Sequence, residues 1–291
     1  MTEAHYSLAF SRNIGLVNEE EQNILKQSRA AIAGMGGVGG AYAVTLARAG
    51  IGKFHLADFD KFEVGNFNRQ YGATLASVGR PKTEVMKELI LSINPAAQIE
   101  TFHEGVTSDN VARFLEGVDI VMDGLDFYAL PARRILFPAS ERRGIHVVTS
   151  GPLGMTTTLH VFGPGGMLFE EYFDFASCRS PEEELVAFLV GVGPAGLHLG
   201  QIDSKRVDFA AKKAPSFGTA IQLCAGVACT EAVQIVLKRR PAFLAPRYFQ
   251  FDPVRLRVKK RYLIFGNRHP LQKFRRWIVK RMLVRKFSAT E

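Results

Sequence analysis

The sequence predicts an α/β fold, with a Rossmann-like, doubly wound and mainly parallel sheet that is extended by antiparallel strands. Three observations lead to this prediction. A glycine-rich turn joins a short apolar strand to a helix near the start of the chain. Strand-like and helix-like segments then alternate up to residue 150, which is typical of a parallel sheet. From residue 151 onward the alternation stops, and residues 155–161 are rich in threonine with the period-two pattern of an antiparallel strand.

The elements of the first half follow in regular order. Asn18 is expected to cap a helix that ends near Gln27, with acidic residues at the positive end of the helix. Strands are predicted at residues 29–33, 53–58, 98–102, 119–123 and 146–150. Helices are predicted at residues 41–49, 81–93, 108–116 and 131–143.

The second half is less regular. A long, mostly apolar helix is predicted at residues 217–238, and residues 248–262 favour two short strands around Asp252 and Pro253. Residues 182–213 give no clear pattern. We therefore expect an N-terminal helical arm at residues 1–28, a central domain at 29–262 and a basic C-terminal tail at 263–291.

The composition is that of an ordinary globular protein, since 47% of the 291 residues are hydrophobic. No run of 18 consecutive apolar residues predicts a spanning helix, and the first ten residues do not resemble a signal peptide. The three cysteines lack the spacing of a disulfide framework, which indicates a reducing compartment and a cytoplasmic location. The net charge of +9 is concentrated at residues 255–286, a segment without a single acidic residue.

The first glycine-rich turn indicates a nucleotide site. Gly34, Gly36, Gly37 and Gly39 follow a predicted strand and open a predicted helix, and Asp58 ends the next strand. Glycines allow the backbone to approach a phosphate closely, and the helix N-terminus attracts the anion. A carboxylate at the end of the second strand accepts hydrogen bonds from ribose hydroxyls.

Three charged residues narrow the ligand class. Arg69 and Lys82 follow Asp58 and carry more positive charge than the pyrophosphate of a dinucleotide requires, so they favour a triphosphate. Asp126 lies just past a later parallel strand, at the edge where such sheets bind ligands. A carboxylate there can hold Mg²⁺ against the phosphates.

At these positions the sequence resembles the superfamily of adenylating enzymes that includes ThiF, MoeB and the ubiquitin-activating enzymes. The matching elements are residues 11–13, 34–39, 58–60, 66–70, 79–82 and 123–126. The resemblance extends over residues 11–154 and 217–238, and it implies that the central domain is an adenylation domain. The asparagine–arginine–glutamine pattern at residues 66–70 is far more specific than the glycine loop.

The resemblance implies a role for each matching residue. Nucleotide-binding positions are Gly34, Gly36, Gly37, Gly39, Asp58, Asp60, Asn66, Asn68, Arg69, Lys82 and Asp126. Asp126 would position Mg²⁺, and Arg12 would reach the γ-phosphate of a neighbouring subunit, which implies a homodimer. Arg12, Arg69, Lys82 and Asp126 would form the catalytic set for attack by a carboxylate on the α-phosphate of ATP. The implied substrate is a ubiquitin-like carrier, a peptide or a small carboxylate, and a carboxylate on modified RNA is a further alternative.

The sequence departs from the family at two places. It lacks the paired cysteine motifs that bind structural zinc in many relatives, so no zinc site is expected, and Cys224 and Cys229 are expected in the core. Phe127 stands where relatives often have asparagine. Cys178 is the candidate nucleophile for a second step, because Arg179 beside it would favour the thiolate.

The basic tail permits two interpretations. Leu271, Phe274, Ile278 and Met282 share one helical face, with Arg275 and Arg281 close to it. Such a helix lies on an anionic membrane surface or grips an acidic partner, or else it packs on the domain and exposes its basic face to solvent. Nucleic-acid binding is disfavoured, because no known binding module accompanies the charge.

Two other functions remain open at the level of sequence. An NAD(P)-dependent oxidoreductase would also use the glycine loop and Asp58, although Arg69, Lys82 and Asp126 argue against it. A catalytically silent relative, kept as a nucleotide-binding partner subunit, is consistent with Phe127 and the missing zinc ligands. The hypothesis favoured by the residues is an ATP-dependent adenylyltransferase.

Overall fold

The computed structural model describes residues 3–203, 206 and 214–287. Within these residues, nine strands form a single sheet. They are β1 (Arg29–Ala33), β2 (Lys53–Ala57), β3 (Gln98–Phe102), β4 (Ile120–Asp123), β5 (His146–Thr149), β6 (Pro152–Leu153), β7 (Thr156–Phe162), β8 (Arg247–Asp252) and β9 (Arg257–Tyr262).

The sheet order is β3-β2-β1-β4-β5-β7-β8-β9, with β6 paired to β7. The first five strands are parallel, and β6 to β9 join antiparallel, so the predicted doubly wound sheet with an antiparallel extension is confirmed. The chain moves outward from β1 to β3 and then returns to place β4 on the other side of β1. This reversal makes the gap between β1 and β4 the switch point at which such folds bind ligands.

Helices cover both faces of the sheet. They are α1 (Glu3–Ala9), α2 (Glu19–Gln27), α3 (Gly37–Ala49), α4 (Lys82–Ile93), α5 (Val111–Phe114), α6 (Leu130–Arg142), α7 (Phe169–Phe173), α8 (Pro181–Val192), α9 (Gly218–Val236) and α10 (Pro270–Phe287). One apolar core joins α3, α4 and α9 to one face of the sheet, and a second joins α5 to α8 to the other face. The two cores fix the parallel strands from both sides.

The predicted elements of the first half agree with the structure to within a few residues, with two informative exceptions. Helix α3 begins at Gly37 rather than at residue 41, because the glycines themselves form its first turn. Helix α5 is much shorter than the predicted 108–116. The side chain of Asn110 accepts a hydrogen bond from the amide of Thr107, 2.9 Å away, and this local turn occupies the start of the predicted helix.

In the second half, α8 occupies the start of the segment that gave no pattern, and residues 204–205 and 207–213 of that segment lie outside the described residues. Helix α9 is the predicted long helix. Among the described helices it alone is long and apolar enough to cross a membrane, with a mean hydropathy of 1.4. Its buried face packs on the sheet and contains Glu231, which is paired with Arg240, so α9 is built as a core helix.

The predicted tail contains α10, and residues 288–291 lie outside the described residues. Asn267 anchors its start, because its side-chain amide donates to the carbonyl oxygens of Phe173 (3.0 Å) and Ala187 (2.7 Å). The helix packs on the domain, as one of the two interpretations expected, but its basic residues are divided. Arg275, Arg276 and Lys280 contact the domain, whereas Lys273, Arg281 and the apolar side are exposed.

Candidate active site

The glycine loop lies at the carboxyl end of β1, between the strand and α3. Gly34 has a φ of +88°, which an L-side chain rarely adopts. A β-carbon on Gly39 would lie 1.7 Å from the carbonyl oxygen of Gly34, and one on Gly34 would lie 2.4 Å from the carbonyl oxygen of Gly124. The loop therefore packs backbone to backbone against the turn that follows β4. The first amides of α3 have no acceptor within the helix and form an anion site.

Asp58 connects the end of β2 to this loop. Its two carboxylate oxygens accept hydrogen bonds from the amide of Met35 at 2.6 Å and from the amide of Asp60 at 2.8 Å. Burial raises the pKa of Asp58, while the charge of Lys82 and the two amides act in the opposite direction. The structure therefore holds a carboxylate at the place where a ribose binds in such folds.

Lys82 is the first residue of α4, and its side chain is buried. Its ammonium nitrogen donates to a carboxylate oxygen of Asp60 at 2.9 Å, while the side chain of Asp60 is 53% exposed. A buried ammonium group requires a partner, and the partner of Lys82 is a half-exposed carboxylate. An ammonium group carries three donors, so Lys82 can keep Asp60 and also reach an anion at the loop.

Residues 66–70, the most specific of the matching elements, lie against the glycine loop. A β-carbon on Gly37 would lie 3.6 Å from the carbonyl oxygen of Arg69, and one on Gly36 would lie 3.8 Å from the side-chain nitrogen of Gln70. Gln70 is buried, and its side-chain oxygen has no hydrogen-bond partner among the described residues. Such an acceptor is suited to a ligand donor. Gln70 belongs to the matching element at residues 66–70, but the family resemblance implies no role for it.

The polar side chains of the same segment make local contacts. The guanidinium of Arg69 donates to the carbonyl oxygen of Gly65 at 3.1 Å and to the side chain of Asn68 at 2.9 Å. Asn68 also donates to the carbonyl oxygen of Ser216 at 2.9 Å, just before α9. Asn66 accepts from the amide of residue 63 at 3.1 Å. These bonds shape the loop, and the partners of Arg69 are exposed groups that a phosphate can replace.

Asp126 is exposed on the turn after β4. One carboxylate oxygen accepts from the amide of Tyr128 at 2.9 Å. A carboxylate that is held at the sheet edge and open to solvent is the kind of oxygen donor that Mg²⁺ takes together with phosphates. The residue therefore suits the metal-holding role that the resemblance implies.

Arg133 holds the Asp126 turn in place, and no motif in the sequence indicates this role. Its guanidinium donates to the buried carboxylate of Asp123 at 2.8 Å, to the carbonyl oxygen of Leu125 at 2.7 Å and to that of Asp126 at 2.6 Å. Thr149 also donates to Asp123. Arg133 acts through the backbone and is a positioning residue, because it fixes the turn that carries the Asp126 carboxylate.

Phe127 adds an apolar contact to the same turn. Its ring packs on Phe188 of α8 with centroids 5.3 Å apart, and the guanidinium of Arg133 lies 4.8 Å from the centroid of the Phe188 ring. The replacement of asparagine by phenylalanine thus adds an apolar anchor to α8. The anchor lies beside Asp126 and leaves its carboxylate exposed.

Four of the predicted segments converge on the glycine loop. Asp58 bonds to it, Lys82 acts on Asp58, the Arg69 segment lies against Gly37, and the Asp126 turn packs on it through Gly124. The meeting point is the switch between β1 and β4.

Arg12 does not lie at this site in its own chain. Its neighbour Asn13 donates to the carbonyl oxygen of Ala49 at 3.2 Å, which is the last residue of α3. The glycine loop is at the opposite end of α3, roughly 20 Å away at about 1.5 Å per helical residue. This distance exceeds the reach of an arginine side chain.

Cys178 is half-buried beside α10. The expectation that the neighbouring Arg179 favours its thiolate is wrong. Burial raises the pKa of the Cys178 thiol, and the cation that opposes this effect is Arg276, whose guanidinium lies 3.2 Å from the sulfur.

Cys224 and Cys229 are buried on α9, as expected for core residues, and burial raises the pKa of Cys224 to about 11. Within the described part of the chain, no group of three or more histidine, cysteine or acidic side chains is arranged to hold a metal ion on its own. A metal held by Asp126 would therefore depend on ligands from the nucleotide.

Comparisons with known proteins identify relatives. The chain is 39% identical over 118 residues to tRNA threonylcarbamoyladenosine dehydratase of Bacillus subtilis, covering 40% of this chain and 46% of that protein. It is 39% identical over 119 residues to adenylyltransferase and sulfurtransferase MOCS3 of Aedes aegypti, covering 40% of this chain and 27% of that protein. The chain spans about half the length of the curated tRNA dehydratases that it matches.

Among solved structures, E. coli MccB crystallised with ATP is similar. The TM-score is 0.61 at 18% identity, over 84% of this chain and 65% of that chain. MccB has also been crystallised with MccA, and that structure gives a TM-score of 0.65 at 19% identity, over 90% of this chain and 69% of that chain. At these identities the similarity shows a shared fold. The model of the ThiF family matches residues 10–272, which include every segment of the candidate active site. The chain therefore belongs to the ThiF family.

Proposed function

We propose that this chain is an ATP-dependent adenylyltransferase that activates a carboxylate as an acyl-adenylate. The proposed substrate is the C-terminus of a small ubiquitin-like carrier protein or of a peptide. The observation that carries the proposal is the convergence of Asp58, Lys82, the Arg69 segment and the Asp126 turn on the glycine loop at the switch point. The name of the MOCS3 relative and the crystallisation of MccB with ATP support the same chemistry.

In this proposal the glycine loop and α3 receive the phosphates, and Asp58 accepts the ribose hydroxyls. Lys82, Arg69 and Asn66 contact the triphosphate, and Asp60 keeps Lys82 oriented through the 2.9 Å ion pair. Gln70 offers its side-chain oxygen, which has no partner in the described part of the chain, to a donor of the nucleotide. These groups are positioned before ATP arrives, so little reorganisation opposes the reaction.

Asp126 would hold Mg²⁺ together with phosphate oxygens. The exposed carboxylate provides a hard oxygen ligand at the sheet edge, and this agrees with the preference of Mg²⁺ for one or two carboxylates plus phosphates. When bound, the ion neutralises phosphate charge. Arg133 keeps the Asp126 turn at the correct place by its bonds to two backbone carbonyl oxygens.

In the proposed step, an oxygen of the substrate carboxylate forms a bond to the α-phosphorus of ATP. The bond from that phosphorus to the bridging oxygen breaks, and pyrophosphate leaves with the electron pair. A carboxylate is already ionised at neutral pH, so no general base is required. Positioning by the loop and neutralisation by Lys82 and Arg69 supply the catalysis.

We further propose that the site is completed by a second copy of the chain. Arg12 is exposed near the C-terminal end of α3, far from the glycine loop of its own protomer. An arginine that contacts the γ-phosphate must then come from a partner, so the active form is a homodimer. The tRNA dehydratase relatives suggest an RNA-borne carboxylate as a second candidate substrate for the same adenylation site.

ATP–pyrophosphate exchange tests the proposal. With peptides ending in Gly-Gly as carboxylate donors, the wild-type chain should exchange label, and Asp126→Ala should abolish exchange while the circular dichroism spectrum is unchanged. Glu116→Ala, which removes an exposed acid beside Arg29 at the opposite, amino edge of the sheet, is the matched control and should keep full activity. Unchanged exchange in Asp126→Ala would refute the role of Asp126.

The same assay separates the alternatives. Arg12→Ala and Asp126→Ala chains, each inactive alone, should recover exchange when mixed, because a mixed dimer contains one intact site. No recovery would exclude a shared site. ATP binding without exchange for any donor would indicate a silent nucleotide-binding subunit, and a change in nicotinamide absorbance would indicate an oxidoreductase.

A further inference from the structure

Helix α10 is attached to the domain by its polar side. Gln272 is buried, and the guanidinium of Arg276 pairs with Asp174 at 2.8 Å. Lys280 pairs with Glu183, and Arg275 donates to the carbonyl oxygen of residue 194. A helix that packs on a domain normally buries its apolar face. The side of α10 that the domain covers is the polar one.

The outward side of α10 is apolar. Leu271, Phe274, Ile278 and Met282 form a stripe of side chains that are between 36% and 58% exposed. Trp277 borders the stripe, is 49% exposed, and stacks on Phe274 with ring centroids 5.9 Å apart. A contiguous stripe of large apolar side chains on the surface of a folded chain marks an interaction site.

The charge around this stripe is positive. Arg281 borders the stripe and lies over the ring of Trp277. Lys273 is exposed on the far side of Trp277, next to the side of the helix that faces the domain. Among the described residues, neither has a carboxylate within ion-pair distance, whereas Arg276 and Lys280, which face the domain, each have one. The guanidinium of Arg281, 3.9 Å from the centroid of the Trp277 ring, covers that ring while the residue stays exposed, as in interfacial helices.

The edge strand β9 adds cations on the face of the sheet that α10 also approaches. Arg257, Lys259 and Arg261 alternate along one face of β9 and are exposed. Arg261 lies opposite Tyr248 of β8 in the sheet. Burial raises the pKa of the Tyr248 phenol, and the positive charges of Arg275 on α10 and of Arg261 act in the opposite direction, so both arginines lie near this ring. Residues 255–286 contain no acid, so nothing within this segment neutralises the cations.

We propose that the outward face of α10, together with β9, docks on an anionic lipid bilayer. The stripe of Leu271, Phe274, Ile278 and Met282 enters the headgroup–acyl boundary, and the basic residues contact anionic headgroups. Lipid is the occupant favoured by the combination of features: apolar side chains in a row match the acyl region, an aromatic ring matches the interface, and unneutralised cations match the headgroups. The docking is independent of the proposed adenylation.

Trp277 permits a direct test, because it is the single tryptophan of the chain. The full-length protein is titrated with vesicles of phosphatidylcholine, with and without phosphatidylserine, while tryptophan emission is recorded. Phosphatidylserine vesicles should shift the emission to shorter wavelength, added salt should reverse the shift, and lipids with brominated acyl chains should quench the emission. Quenching requires contact with the acyl region, so it separates lipid insertion from binding to an acidic protein.

Matched variants test the stripe and the charges. Phe274→Asn with Ile278→Asn should weaken vesicle binding by more than about tenfold, since both lose apolar contact with the bilayer. Lys273→Glu with Arg281→Glu should do the same through reversed charge. The control, Leu8→Asn with Leu16→Asn, changes side chains that are more exposed still but lie in the N-terminal arm, and it should bind like the wild type.

Three outcomes would overturn the proposal. One is unchanged Trp277 emission with phosphatidylserine vesicles. Another is equal binding by the stripe variant and the arm variant. The third is a concentration-dependent emission shift without lipid, which would identify a second copy of the chain as the occupant. Because the quenching experiment uses the wild-type protein, misfolding of a variant does not remove the test.

Discussion

The carboxyl edge of the parallel strands and the outer surface of α6, α8 and α10 both carry cations, but they hold them differently. At the carboxyl edge, Arg133 and Lys82 are buried, and Arg133 donates to two backbone carbonyl oxygens. On the outer surface, Arg134 lies in an exposed ion pair with two acids, and Lys273 extends from a helix into solvent. The first arrangement fixes positions, and the second provides a diffuse field.

This difference in construction corresponds to a difference in ligand. A site that transfers a phosphoryl-linked group needs charges at defined positions, and buried cations with fixed partners meet that need. A surface that attracts a bilayer needs only enough charge of one sign, since headgroups rearrange around it. Substituting one buried cation and one exposed cation of the same residue type therefore makes an informative pair of variants.

The largest expected effect is a loss of stability in Arg133→Leu. This substitution leaves the buried carboxylate of Asp123 without its cation. Both side chains are at least 95% buried, and breaking such a pair costs about 3–5 kcal/mol of the free energy of unfolding. Urea denaturation measures the loss. The matched variant is Arg134→Leu, whose exposed pairs with Glu170 and Glu184 contribute at most about 1 kcal/mol. Equal losses in the two variants would contradict the distinction between fixed and diffuse cations.

A smaller effect is expected in exchange activity from Lys82→Met. Loss of one preorganised charge at a transition state typically lowers the rate by about a hundredfold or more. Asp60, which pairs with Lys82, is half-exposed and can be solvated, so the fold should survive. Initial rates of ATP–pyrophosphate exchange give the result.

Lys273→Met is the control for Lys82→Met, because it removes a lysine from the outer surface. It should leave exchange unchanged and weaken binding to anionic vesicles. If Lys273→Met lowered exchange as much as Lys82→Met, the two regions would not be separate functional surfaces.

The sequence predicts the carboxyl edge well, because this part of the fold depends on local rules. A glycine turn with a φ of +88° at Gly34, strands of small apolar residues and an acid at the end of β2 all leave local signals. The spacing of Arg69 and Lys82 reflects a family pattern. Their convergence follows from the parallel order of the strands.

The remaining features depend on contacts between distant segments. Arg133 is one of two adjacent arginines on α6, and nothing local indicates that it is buried while Arg134 is exposed. The same holds for the orientation of α10, because its polar side is held by Asp174, Glu183 and the carbonyl oxygen of residue 194, which are all far from it in sequence. Residues far apart in sequence decide these positions, and periodicity alone does not contain that information.

Cys178 also shows that contacts between distant segments cannot be predicted from local sequence. Its reactivity gives the smallest of the expected effects. The sequence places Arg179 next to the thiol, but the structure gives the role to Arg276 from α10. Burial raises the pKa of Cys178, so less thiolate is present at neutral pH and alkylation should be slow. Arg276 lowers that pKa, so Arg276→Gln should raise it further and slow alkylation several-fold at neutral pH.

The measurement is the pH dependence of iodoacetamide modification of the native protein, with the modified residue identified by mass spectrometry. Cys224 and Cys229 are buried and have raised pKa values, so they should not react. The midpoint of the profile reports ionisation and the plateau reports access, so a change in α10 packing is distinguished from a change in charge. Arg179→Gln should leave the midpoint unchanged. A midpoint that moves with Arg179 and not with Arg276 would mean that the neighbour in sequence, and not the neighbour in space, controls this thiol.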